Sequence, residues 1–249
     1  MISVVLATHR DDQFVRPAID SILAQKDVDF ELIIVANNCP VSYFEKLKAI
    51  GDARIRVFHT MVPQIAFNLN FGIEQAQYDL IARMDADDLM KPGRLKEQCD
   101  HFLKNPGLSV LGSQVEFISA DGHVMNYSSY PVNDADIRKS LAFKSTFCHP
   151  SIMFRKHAIM KSGGYLGGFL SEDYDLWLRL LEDKSVQFGN TEKVLLSYRR
   201  HGNSTQGKLK AYSEVAGHLL KMFLLHRKGK YFFGALVAIA KALVRGKRD

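Results

Sequence analysis

Short apolar runs alternate with segments of helical periodicity through the first half of the chain. This alternation is typical of a parallel β-sheet whose strands are joined by crossover helices. Between the runs, apolar residues recur at helical spacing, as at Ile65, Leu69 and Ile73. We therefore predict an α/β fold with strands at residues 2–7, 30–36, 54–58, 79–84 and 108–118.

The regular alternation ends near residue 118. The glycine pairs at 163–164 and 167–168 predict a flexible loop. A helix is expected to begin near Ser171 and to bury Trp177, Leu180 and Leu181. We expect this less regular part to lie against the sheet and to complete a binding site.

Charge is distributed unevenly along the chain. The sequence has 33 Lys and Arg against 27 Asp and Glu, a net charge of +6. Ten of those cations and two of the acids lie after residue 207, so the tail carries +8 and the preceding part −2. A nucleic-acid partner is therefore not expected for the main part of the chain.

The expected compartment is the cytoplasm. The three cysteines, Cys39, Cys99 and Cys148, form no CxxC pair, which favours a reducing environment and argues against a zinc knuckle. The first apolar run is short and has no cationic stretch before it, so no signal peptide is predicted.

Two strand ends carry chemically useful side chains. The first strand is followed by Thr8-His9-Arg10 and the fourth by Asp85-Ala86-Asp87-Asp88. Ligands of open parallel sheets bind outside the carboxyl ends of the strands. If these two strands are neighbours, one cleft holds both segments.

The acidic segment after the fourth strand is a candidate metal site. Three carboxylates within four residues repel one another, and a hard cation such as Mg²⁺ or Mn²⁺ would offset that repulsion. The alternative is an acidic loop that caps the following helix. No glycine-rich phosphate loop is present, so any phosphorylated ligand would have to be met by metal and by arginines such as Arg10, Arg83 or Arg199.

A second acidic pair, Glu172-Asp173, opens the helix predicted after the glycine-rich loop. Acids in a first helical turn are stabilised by the helix dipole, and this structural role would lower their pKa. The alternative is that one of them is a general base, which would require compensating desolvation. Farther along, His201 follows a predicted strand and could fold back over the acidic site as a third metal ligand.

Taken in order, these segments resemble the family 2 glycosyltransferases of GT-A fold, a large bacterial group that builds surface polysaccharides and lipopolysaccharide. The resemblance spans residues 2 to about 205. The segments that carry it are VVLATHR at 4–10, SILAQ at 21–25, LNFG at 69–72, IARMDADD at 81–88, HPS at 149–151, GGY at 163–165, ED at 172–173 and YRRH at 198–201.

The resemblance implies a role for each matching position. Thr8 and Arg10 would line the nucleotide pocket, and Arg83 would approach the base or the diphosphate. Asp85 and Asp87 would hold ribose and metal. Asp173, or failing that Glu172, would be the base of an inverting displacement in which Mn²⁺ or Mg²⁺ stabilises the departing nucleoside diphosphate.

One position departs from the family pattern. The family commonly has two acids and Gly-Ser after the second strand, whereas this chain reads Ala36-Asn37-Asn38-Cys39. Asn37 can still accept a hydrogen bond from the nucleotide base, and its amide adds a donor. UDP is therefore the expected carrier of the donor sugar, a hexose or N-acetylhexosamine, and a bacterial glycan or lipid-linked oligosaccharide is the expected acceptor.

The implied fold is a Rossmann-like, mostly parallel sheet flanked by helices, with an irregular acceptor-side part and C-terminal basic helices. Residues 1–207 would form the catalytic domain, with a nucleotide-binding half at 1–118 and an acceptor-side half at 119–207. The tail at 208–249 would be helical, basic and amphipathic. It would bind an anionic membrane surface, as a peripheral protein on the inner face of the plasma membrane, or dock on the catalytic domain or a second subunit.

Two other functions share some of these features. A sugar nucleotidyltransferase would also use such a sheet and a divalent ion, but it would be expected to show a glycine-rich basic loop after the first strand. A non-catalytic nucleotide-sugar binding protein would bind the donor without turnover.

Overall fold

The computed structural model describes residues 1–200 and 209–245 of the chain. Its strands are β1 (Ile2–Thr8), β2 (Phe30–Asn37), β3 (Ile55–Thr60), β4 (Leu80–Asp85), β5 (Leu89–Met90), β6 (Leu108–Ile118), β7 (Val124–Tyr127), β8 (Met153–Arg155) and β9 (Gln187–Arg199). Its α-helices are α1 (Val15–Leu23), α2 (Val41–Lys48), α3 (Ile65–Gln75), α4 (Arg94–Lys104), α5 (Asp134–Ser140), α6 (Lys156–Lys161), α7 (Glu172–Glu182), α8 (Leu209–His226) and α9 (Gly229–Arg245).

The N-terminal half of the sheet is parallel. Its strands lie in the order β3-β2-β1-β4, and β1 pairs in parallel with both β2 and β4. Nearly every residue of β1 and β2 is buried, as expected when helices cover both faces of a parallel sheet. The predicted α/β class is confirmed, and the five predicted strands are present with shifts of at most two residues at their ends.

Beyond β4 the sheet becomes mixed. The three-residue strand β8 lies between β4 and β6 and runs antiparallel to both. β6 and β9 are parallel, while β5 and β7 pair antiparallel with β9 and β6. The added antiparallel strands have two to four residues, which is too short for an alternating pattern to reveal them in the sequence.

Apolar side chains pack on both faces of the sheet. Val5 and Ile33 face one core, together with helix α3, and Val4 and Leu32 face the other. Helix α3 approaches closely because Gly72 has no side chain: a Cβ there would lie 2.6 Å from Cγ1 of Val5. The close contact packs α3 directly against β1 and β2.

The tail forms an α-helical hairpin of α8 and α9, here called the C-terminal hairpin (residues 209–245). It docks on the rest of the protein through small and aromatic residues, among them the buried Tyr231, Ala235 and Ala238. A Cβ on Gly234 would lie 2.1 Å from the carbonyl oxygen of Ala142, so the backbones touch there. Within the described residues, neither helix of the hairpin nor any other is long and apolar enough to cross a bilayer.

Candidate active site

A cleft of about 620 Å³ opens at the carboxyl ends of β1, β2 and β4. The predicted adjacency is present, because β1 and β4 pair directly and Ala7 lies opposite Asp85. The cleft wall includes eight of the predicted site residues: Thr8, Arg10, Asn37, Arg83, Asp85, Asp87, Glu172 and Asp173. The two acidic segments therefore face one shared space.

Three carboxylates converge after β4. One oxygen from each of Asp85, Asp87 and Asp88 lies within 4.8 Å of the others. Asp88, which we did not predict as a ligand, is 1% exposed. Its Oδ1 accepts a hydrogen bond from the Arg199 amide at 2.7 Å, and its Oδ2 has no partner among residues 1–200 and 209–245. Burial, reinforced by the neighbouring acids, raises the pKa of Asp88 well above its ordinary value. An oxygen-rich, mutually repelling cluster of this kind fits a hard divalent cation.

Arg83 supplies positive charge beside the cluster. Its Nη2 lies 2.6 Å from Oδ1 of Asp85, and the side chain is almost fully buried. Burial alone would lower the pKa of Arg83, but the interaction with Asp85 keeps it above its ordinary value. Within the described residues, its buried Nε and Nη1 have no hydrogen-bond partner. The guanidinium lines the cleft and places a positive charge beside the aspartates.

A second arginine holds the strand that carries the acids. Arg94 is fully buried at the start of α4 and donates to the carbonyl oxygens of Pro150 at 2.8 Å, Arg83 at 3.0 Å and Ile152 at 3.2 Å. Its Nε donates to Gln98 at 3.0 Å. Burial lowers its pKa to about 9, which still leaves it cationic at neutral pH. Arg94 thus ties β4 to the segment before β8.

The acidic pair lies at the first turn of α7. Glu172 is 8% exposed, whereas Asp173 is partly exposed to the cleft. Burial, followed by repulsion from Asp173, raises the pKa of Glu172 to about 8. Burial also raises the pKa of Asp173 and outweighs the hydrogen bond that its Oδ1 accepts from the Tyr174 amide at 2.8 Å. Desolvation therefore prevails over the helix dipole at this site.

His149 packs beside the acidic pair. Its Nε2 is 2.8 Å from the hydroxyl of Tyr165, and its Nδ1 is 3.8 Å from Oε1 of Glu172. Burial lowers the pKa of His149 well below its usual range, with Arg83 contributing. The contact with Glu172 is therefore a neutral one at pH 7 and not an ion pair.

The predicted nucleotide side is partly preorganised. The Thr8 hydroxyl lies 2.8 Å from the hydroxyl of Tyr43, and Asn37 is buried at the end of β2. Arg10 pairs with Asp12 at 2.9 Å and is substantially exposed, which leaves it able to reorient toward a ligand.

Arg199 does not line the cleft. Its guanidinium donates to the carbonyl oxygens of Asp87 at 2.9 Å and Ala120 at 2.8 Å, and it lies over the ring of Phe14. These contacts support the aspartate loop from behind, so the geometry does not favour the predicted contact with nucleotide. The predicted metal ligand His201 lies outside the described residues.

Part of the cleft comes from a segment that the sequence did not indicate. Ala211, Tyr212 and Val215 of α8 contribute to its wall, as do Tyr198 and Phe169. The sequence showed helix-forming residues after position 208, but nothing in their pattern pointed toward the cleft.

Sequence comparison identifies the family. Residues 3–164 match the family described as Glycosyl transferase family 2. The chain is 41% identical to the O-antigen biosynthesis glycosyltransferase WbnJ of Escherichia coli, over 98% of this chain and 97% of that protein. It is also 30% identical to the UDP-Gal:alpha-D-GlcNAc-diphosphoundecaprenol beta-1,3-galactosyltransferase of Escherichia coli, over 79% of this chain and 73% of that protein.

Solved structures share the fold. Staphylococcus aureus TarS 1–349, in complex with UDP-GlcNAc, superposes with a TM-score of 0.68 at 14% identity, covering 88% of this chain and 66% of TarS 1–349. The mannosyltransferase PcManGT of Pyrobaculum calidifontis, in complex with GDP-Man and Mn²⁺, has a TM-score of 0.67 at 13% identity and covers 98% of this chain and 73% of its own. The fold is therefore that of the GT-A glycosyltransferases. Because the family match covers more than half of the sequence, the chain belongs to glycosyltransferase family 2 and is a glycosyltransferase.

Proposed function

We propose that this chain transfers a hexosyl or N-acetylhexosaminyl group, with inversion and with the help of a divalent metal, from a nucleoside diphosphate to a glycan hydroxyl. UDP is the proposed carrier, and a bacterial surface polysaccharide or its lipid-linked precursor is the proposed product. The observation that carries the proposal is the single cleft shared by the aspartate cluster and the acidic pair Glu172-Asp173. Relatives named for O-antigen assembly and for galactosyl transfer from UDP-Gal support it.

The donor would bind on the β1–β4 side of the cleft. Asp85 and Asp87, with Asp88 behind them, would hold Mn²⁺ or Mg²⁺, which when bound supplies electrostatic stabilisation to the departing diphosphate. Arg83 lines the same cleft and would add positive charge beside the diphosphate. Thr8, Arg10 and Asn37 are proposed to contact the nucleoside.

Asp173 is the better candidate for the base. With a pKa of about 8, Glu172 retains its proton at neutral pH and cannot accept another. Asp173 is more exposed to the cleft, where an acceptor hydroxyl would approach. A raised carboxylate pKa also strengthens the base that removes the hydroxyl proton as the sugar is transferred.

Nucleotide sugars can be screened by thermal stabilisation, with Mn²⁺ and with EDTA. We expect a UDP-sugar to raise the melting temperature only when Mn²⁺ is present, and to be hydrolysed slowly in the absence of acceptor. Stabilisation without hydrolysis or transfer would instead indicate a non-catalytic binding protein. Equal stabilisation in EDTA would contradict the metal dependence.

The C-terminal hairpin is proposed to bind an anionic membrane surface. The protein would then be peripheral on the cytoplasmic face of the plasma membrane. Its docked side carries small residues such as Ala235 and Ala238, while its outer side exposes Phe233 (61%), Leu236 (47%) and Leu243 (66%). The tail also carries a net charge of +8. Exposed apolar groups combined with excess positive charge are typical of interfacial helices, and a lipid-linked acceptor would be presented at the same surface.

Flotation with vesicles tests this binding. We expect the protein to float with vesicles containing phosphatidylglycerol and not with pure phosphatidylcholine, and Phe233→Ser combined with Leu243→Ser to abolish flotation. Leu103→Ser on α4, where Leu103 is 72% exposed, is the matched control. Self-association without lipid, and no flotation, would assign the face to a second copy of the chain.

A further inference from the structure

Glu214, on the first half of α8, reaches the loop that precedes α7. Its Oε1 accepts a hydrogen bond from the amide of Phe169 at 3.2 Å. Its Oε2 accepts from the amide of Leu170 at 3.0 Å and from the hydroxyl of Ser171 at 2.9 Å. All three donors belong to one short segment, so a single carboxylate fixes three consecutive residues.

The segment ends where the acidic pair begins. Ser171 is the residue before the first turn of α7, and its hydroxyl donates to Glu214 and does not cap its own helix. Gly168 suits this close approach: its φ is +83°, and a Cβ there would lie 2.9 Å from Oε2 of Glu214. A carboxylate is favourable at this helix end because the helix dipole is positive there.

The charge of Glu214 is consistent with this geometry. Burial alone would raise its pKa, but the hydrogen bonds from Leu170, Ser171 and Phe169 lower it below the ordinary value. Glu214 is therefore ionised at neutral pH and accepts charge-assisted hydrogen bonds.

We propose that Glu214 is a positioning residue for the transfer reaction, acting through the segment 169–171 on Asp173 and on the cleft wall formed by Phe169 and Leu170. This inference rests on the proposed function. It makes the C-terminal hairpin a part of the catalytic unit, since the hairpin supplies both the restraint on the loop and, through Tyr212 and Val215, a part of the cleft wall.

A second carboxylate provides a control that distinguishes positioning of the loop from simple docking of the hairpin. Glu182, at the other end of α7, accepts hydrogen bonds from Lys228 at 2.6 Å and from the hydroxyl of Tyr231. It too ties the hairpin to α7, but its contacts do not involve the loop or the cleft. Glu182→Gln is therefore a matched control for Glu214→Gln and Glu214→Ala.

The kinetic test compares these variants with wild type at saturating Mn²⁺ and varied donor concentration, so that kcat and the KM for donor are both measured. We expect Glu214→Ala to lower kcat at least about tenfold and to leave the KM for donor within about twofold, with Glu214→Gln intermediate, because donor contacts lie elsewhere in the cleft. Glu182→Gln should keep kcat within about twofold of wild type, even if its melting temperature falls as much as that of Glu214→Ala. An unchanged kcat in both Glu214 variants, or an equal loss in Glu182→Gln, would overturn the proposal.

Hydrogen exchange provides a reading that does not depend on activity. We expect the amides of Phe169 and Leu170 to exchange at least about tenfold faster in Glu214→Gln than in wild type or Glu182→Gln. If wild type neither transfers nor hydrolyses donor, the proposed function fails while this measurement still tests the restraint. Equal exchange in all three proteins would refute the restraint itself.

Discussion

Glu172 should make the protein less stable as the pH rises, and Glu172→Gln should remove that loss. In the unfolded chain the carboxyl titrates near its ordinary value of 4.5, whereas in the folded protein its pKa is about 8. Between these values the unfolded chain releases a proton that the folded protein keeps, so a rising pH favours unfolding. Stability from this group is complete below pH 4.5, falls up to pH 8 and is constant above it.

The size of the stability change follows from the difference between the unfolded and folded pKa values of Glu172. It spans about 3.5 pH units, each worth about 1.4 kcal/mol, so the ionised Glu172 costs about 5 kcal/mol of unfolding free energy above pH 8. Glutamine has nearly the same shape and no charge. The gain in unfolding free energy on substitution should therefore be below about 1 kcal/mol at pH 5, about 3 kcal/mol at pH 7 and about 5 kcal/mol at pH 9.

Urea denaturation of wild type and Glu172→Gln from pH 5 to pH 9 measures this difference. EDTA is included so that no divalent cation changes the charge of the cleft. Glu192→Gln, an exposed residue of β9 outside the cleft, is the control and should show no such trend. A difference that stays flat, or that grows toward low pH, would refute the reasoning that burial holds the Glu172 carboxyl neutral.

Three further substitutions test the site and the core. Asp87→Ala should abolish Mn²⁺-dependent donor binding in calorimetry, because a ligand of the cluster is lost; unchanged affinity would exclude that role. Asp173→Asn should keep donor affinity and lose at least about 100-fold in transfer rate, because an amide cannot take the proton; substantial remaining transfer would place the base elsewhere. Gly72→Ala should lower the unfolding free energy by about 1–3 kcal/mol, since its Cβ would lie 2.6 Å from Val5. Gly217→Ala, where a Cβ meets nothing within 4 Å, should not destabilise the protein under the same denaturation assay.

The N-terminal half of the fold was predictable because its signals are local. Each parallel strand is long enough to show as an apolar run, and the position of the acids after β4 follows from the rule that ligands bind at strand ends. The adjacency of Thr8 and Asp85 then required only that β1 and β4 pair. The convergence of their side chains in one cleft was inferred in the same way.

The rest depends on contacts between distant parts of the chain. β8 has three residues, and only its pairing with β4 and β6 defines it as a strand. The sequence shows that Arg199 is charged but not in which direction it points. The contribution of α8 to the cleft could not be foreseen, since its partners, such as Phe169 and Ser171, lie more than 40 residues earlier.

The contacts of Arg94 limit which amino acids this enzyme can tolerate at that position. Within the described residues, no carboxylate accepts a hydrogen bond from its guanidinium. Its partners are the backbone carbonyl oxygens of three residues, the side chain of Gln98 and the sulfur of Met84. Lysine has the same charge but a single nitrogen. That nitrogen cannot donate to all of the acceptors that surround the planar guanidinium. Exchange of this arginine for lysine would therefore disrupt the backbone next to the aspartate cluster, although the two residues carry the same charge.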